Sequence, residues 1–153
     1  MRTKHLKALV FILAVILTSM SCSKNDEKVN ISAAGLKNSH KMGKNCMECH
    51  KSGGWGKGAF VVAGTVYNNG LSNTYADAVV KLYTQASGGG TLAGTIYGDA
   101  NGNFYTTESI DLSGGVYPSV SGTGGSVNYM QSSITVGACN SCHGNSVAKL
   151  WAK

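Results

Sequence analysis

One five-residue pattern occurs twice in this chain, as Cys46-Met47-Glu48-Cys49-His50 and as Cys139-Asn140-Ser141-Cys142-His143. Each reads Cys-x-x-Cys-His, the attachment signature of a c-type haem. Two thiols one helical turn apart add to the vinyl groups of one porphyrin, and the histidine that follows supplies the proximal iron ligand. The expectation is therefore two covalently attached haem c groups, one on Cys46, Cys49 and His50, the other on Cys139, Cys142 and His143. Competing readings fit less well. A thioredoxin-like pair needs a βαβ context and no histidine. Zinc ribbons separate their cysteine pairs by about 15–20 residues, and here the whole middle of the chain lies between them. A disulfide spanning two residues is strained.

The start of the chain reads as an export signal. Arg2, Lys4 and Lys7 precede an apolar run from Ala8 to Leu17, too short to span a bilayer, and small residues lead to Cys22. This stretch resembles the lipobox of bacterial lipoproteins, with Ser19 where that motif usually has leucine. The resemblance implies lipidation of Cys22 and a membrane-surface anchor; the plain alternative is a secretory signal with a free thiol at Cys22. Asp26 and Glu27 soon after it resemble the surface-export signal of some Bacteroidota lipoproteins. The expected location is the bacterial outer membrane, facing the periplasm or the cell surface. One lipid and two haems use all five cysteines, so no disulfide is expected.

Without residues 1–21 the chain has ten lysines against seven carboxylates, a net charge of +3. Arginine is absent after residue 2, so a bidentate reader of phosphates or base edges is missing and no nucleic-acid partner is expected.

With 153 residues there is room for about one domain. Its expected divisions are the signal (1–21), a polar tether (22–34), a first haem segment (35–59), a β-sandwich (60–130) and a second haem segment (131–153). Glycines and lysines in 35–58 argue for loop and short helix. Trp55 and Phe60 are candidates either to cover a haem face or to pack in the core. From 60 onward, aliphatic and β-branched runs alternate with Gly, Asn, Ser and Thr. Strands are expected near 60–67, 77–84, 91–98, 103–109, 115–121 and 126–135, with turns at Asn69-Gly70, Gly88-Gly89-Gly90, Asn101-Gly102 and Gly114-Gly115. In the second, Ala78, Val80 and Leu82 should face inward. Asp99-x-Asn101-x-Asn103 has the alternating oxygens of a calcium loop, yet its glycine comes early and no glutamate closes it. A hairpin turn explains it better.

The blocks Val62-Ala-Gly-Thr-Val-Tyr67, Ala76-Asp-Ala-Val-Val-Lys-Leu-Tyr83, Gly98-Asp-Ala-Asn-Gly-Asn-Phe104 and Gly115-Val-Tyr117 resemble the carboxypeptidase regulatory-like (transthyretin-like) family. That resemblance implies an Ig-like, mainly β sandwich, flanked here by the two haem-binding loop and short-helix segments, and a non-catalytic module common in exported proteins. The whole arrangement is similar to small exported dihaem proteins of extracellular-electron-transfer bacteria, with a sandwich inserted between two haem-binding ends.

After the signal only His40, His50 and His143 remain, so one histidine is left to act as a distal ligand. His40 lies six residues before Cys46 and is expected to take that role, with a lean toward the haem of Cys139 and Cys142. Met130, or less favourably Met42, is the candidate for the other iron. Electron transfer to redox proteins such as other cytochromes is the leading expectation, with no enzymatic activity. The alternatives are a peroxide or nitric oxide site at an open iron, and a docking module of a larger cytochrome assembly.

Overall fold

The computed structural model describes residues 29–153. The expected export signal, Cys22 and most of the expected tether lie outside the described residues. The described chain is mainly β, with two four-stranded sheets face to face as in a β-sandwich.

Alternation builds the second sheet. In β2 (Val79–Tyr83) Val80 and Leu82 are buried, while Val79, Lys81 and Tyr83 are half-buried. Ala78, just before the strand, is buried with them, as the period of two demands. β2 pairs antiparallel with β3 (Leu92–Tyr97) on one side and β5 (Tyr117–Ser121) on the other; β6 (Val127–Tyr129) adds to β5.

The first sheet is centred on β1 (Val62–Asn68), whose first five residues are all buried, so both of its faces are covered. This explains why Val-Ala-Gly-Thr-Val shows no polar alternation. β4 (Asn103–Thr106) runs antiparallel along one edge, with Gly64 opposite Phe104. Along the other edge lie two short parallel strands, β7 (Gly137–Ala138) and β8 (Leu150–Ala152). The second cysteine motif therefore leaves and rejoins the same edge of β1. Between the sheets Val62, Val66, Leu82 and Phe104 are fully buried; each contributes about 1.5–3 kcal/mol through burial.

Several sequence expectations shift. The strand expected over 126–135 ends at Tyr129, and β7 and β8 arise inside the second haem segment. The turn at Gly98–Gly102 is no hairpin, because β3 and β4 belong to opposite sheets; it is a corner where the chain crosses between them. The end of the expected tether is docked: Ile31 bridges Thr106, and the Ser32 N–H donates to Tyr105 O.

Candidate haem centres

Both motifs fold into the same turn. Cys46–Glu48 and Cys139–Ser141 each form one 3-10 turn. The fifth residue closes it, His50 N–H donating to Cys46 O at 3.0 Å and His143 N–H to Cys139 O at 2.9 Å. Asn45 caps the first turn, its side chain accepting from Met47 N–H. All four cysteines are free thiols.

Each histidine is then turned by a carbonyl further along the chain. His50 Nδ1 lies 3.0 Å from Lys57 O, and His143 Nδ1 lies 2.8 Å from Ala148 O. A carbonyl only accepts, so each Nδ1 carries the proton and each Nε2 keeps its lone pair for a metal. This is the outer support that metal-bound imidazoles ordinarily have. The residues fit a haem in each place, with two thiols and a histidine of the right tautomer; the second site adds an apolar wall, while at the first Phe60 and Tyr105 stand among polar side chains.

The surroundings of the two motifs differ. Cys139, Cys142 and His143 border an apolar cavity of about 750 Å³, walled by Val80, Phe104, Ile134, Leu150 and Trp151 among others. Its walls come from both sheets, so it opens into the sandwich itself, and its size suits a cofactor. Met130 lies in its lining. Cys46, Cys49 and His50 border a smaller cleft of about 190 Å³ on the outer face of the first sheet, with His40, Phe60 and Tyr105. Phe60 stacks on the His50 ring at 4.1 Å and on Tyr105 at 4.8 Å, so it is both core and cover. Trp55 is exposed and belongs to no core. Met42 is exposed and lines neither space.

His40 stands beside His50, with ring centroids 6.1 Å apart. Two imidazoles on either side of one metal, with bonds of about 2.0–2.1 Å, place their centroids roughly 6 Å apart. The structure places His40 beside the first motif rather than the second: it shares its cleft with His50, and the cavity at His143 is lined without it.

The sequence reading missed what holds His40. Asn103, buried on β4, donates from its amide to Ser39 Oγ at 2.9 Å and to His40 O at 3.3 Å. Its Oδ1 accepts from Thr65 Oγ1 at 2.6 Å, and Thr65 Oγ1 in turn accepts from Gly43 N–H. Asn101 donates to Ser39 O, and Asp99 Oδ1 accepts from the N–H groups of Asn101 and Asn103. The Asp-x-Asn-x-Asn run is therefore a clamp on the His40 segment. Among the described residues no group of three or more His, Cys, Asp and Glu side chains is placed to hold a bare ion.

The two motifs meet across β1. Ala63 packs against Cys46 and Met47 on the outer face, while a Cβ on Gly64 would lie 2.9 Å from Cys139 Cβ on the inner face. Burial above all pushes the Cys139 thiol up to about 12, with a further rise from Cys46, and it also raises the Cys46 thiol. Neither is a thiolate at neutral pH in the unmodified chain, unlike the reactive cysteines of dithiol redox enzymes.

No protein-family model, curated protein or solved structure matches the chain.

Proposed function

We propose that this chain is an exported dihaem c-type cytochrome, an electron carrier held to the outer membrane by a lipid on Cys22 and working outside the cytoplasm. The observation that carries the reading is the repeated turn, in which both Cys-x-x-Cys-His segments present a histidine with Nδ1 bound to a carbonyl and Nε2 free. When bound, each haem supplies one-electron exchange between ferric and ferrous iron. Cys46, Cys49, Cys139 and Cys142 would hold the porphyrins as thioethers, and His50 and His143 would bind the irons. His40 would complete the first site and Met130 the second.

Two histidines at one centre and histidine with methionine at the other set the second potential higher, which gives the pair a direction. The apolar lining of the cavity at the second motif would act in the same sense. The placement of the motifs on the two faces of β1 suits an internal relay. The sandwich between them reads as a carboxypeptidase regulatory-like module that positions the centres, and other exported cytochromes are the natural partners.

The test is a covalent haem count with an electron paramagnetic resonance spectrum of the oxidised protein. Two haems, both low-spin, are the expected result. A large high-spin signal would mean an open iron and favour a small-ligand site. A chain without covalent haem, made in a host able to attach it, rules the reading out.

A further inference from the structure

The first motif sits in the most positive part of the described chain. Residues 35–58 carry Lys37, Lys41, Lys44, Lys51 and Lys57, all exposed, with Glu48 as the one carboxylate. Residues 59–153 hold three lysines against four carboxylates. One of those three, Lys149, is engaged within the fold, its Nζ 4.1 Å over the Tyr67 ring and bonded to Leu71 O. Lys41 and Lys44 line the first cleft. Lys51 and Lys57 bracket the loop whose last carbonyl orients His50.

Trp55 stands on that loop, 98% exposed. The loop is held closely to the motif. Gly54 N–H donates to Lys51 O at 2.8 Å and Gly56 N–H to Cys49 O at 2.9 Å. A Cβ at Gly56 would come within 2.6 Å of the His50 ring, and one at Gly54 would strike Cys49 O. The glycines let the chain close on the motif and leave the indole facing water. An exposed apolar anchor on a charged segment matches the anatomy of a protein-docking patch, and tryptophan is among its most frequent anchors.

We infer that Trp55 and the five exposed lysines of residues 35–58 form the docking surface for an acidic redox protein that exchanges electrons with the first centre. The inference rests on that centre carrying haem. Its two propionates would lower the local excess from +4 to +2 without changing its sign. One electron passes between the haem iron and the partner's one-electron centre; no bond is made or broken and no proton moves.

The test uses the dihaem protein, its haem content measured first. The reduced protein is oxidised in a stopped-flow instrument by hexacyanoferrate(III), an anion, or by tris(phenanthroline)cobalt(III), a cation. The anion's rate should fall about tenfold between low salt and about 0.5 M salt, and by a similar factor at low salt in K41E/K44E/K51E/K57E. The cation's rate should move the other way. Lys→Gln changes at the same four positions should give an intermediate loss. Poly-L-glutamate, titrated at low salt, should shift the amide resonances of 35–58 and the Trp55 indole N–H, and should not bind the charge-reversed protein. Haem-loaded protein whose rates ignore salt and charge, or polyglutamate that leaves Trp55 and its lysines unmoved, overturns the docking surface and leaves the electron-carrier reading standing. Missing haem overturns that reading instead; polyglutamate, whose binding needs no haem, still decides the surface.

Discussion

His40 and Asn103 work as a unit although sixty-three positions separate them. His40 is exposed and has little packing of its own, so its place depends on the backbone on either side. Asn103 holds its carbonyl, and the left-handed Lys41 (φ 54°) turns the chain so that Gly43 reaches Thr65. His40→Ala should convert the first haem alone to high spin, read by electron paramagnetic resonance; a change at the second haem would reassign the ligand. Asn103→Ala leaves the Thr65 hydroxyl without its buried acceptor and removes the bonds to Ser39 Oγ and His40 O, leaving Asn101 alone on Ser39. The expected cost is about 1–3 kcal/mol in urea unfolding, with part of the first haem becoming high-spin.

At the scale of elements, β1 is the shared wall of the two centres, and Gly64 is its thinnest point. A side chain there would meet Phe104 Cζ at 2.6 Å as well as Cys139. Gly64→Val should therefore cost about 1–3 kcal/mol through overpacking, measured as a lower urea midpoint at unchanged slope. It should also impair haem attachment at Cys139 more than at Cys46. Phe104→Ala should cost about 3–5 kcal/mol, because the ring is fully buried and also walls the larger cavity. The cavity would then extend further into the core, and the second haem would gain water around it.

For the molecule as a whole, the two parallel strands β7 and β8 matter most. By pairing with β1 on either side of 139–149, they pin both ends of the second motif to the strand against which the first packs. Two dissimilar motif sites thus share one rigid support, one on a small, largely polar cleft, the other on the larger apolar cavity. A reductive titration should resolve two one-electron waves. Met130→Ala should lower or abolish the higher one and leave the lower in place. Equal loss of both waves would contradict the assignment of Met130 to the cavity side.

The shared turn of the two Cys-x-x-Cys-His segments was legible in the sequence because each spans only five contiguous residues. The inward face of β2 and six of the eight strands were legible because alternation is a local property of an extended chain. The partner of His40 was not. It depends on Asn103 and Thr65 from distant strands, whose hydrogen bonds exist only once the first sheet has formed. The same holds for β7 and β8, with two and three residues, which carry too little pattern to announce themselves and are strands only because β1 offers an edge. Local spacing set the turn that each motif forms. Burial and long-range pairing decided that one motif lies outside the sandwich, that the other opens into it, and that one strand separates them.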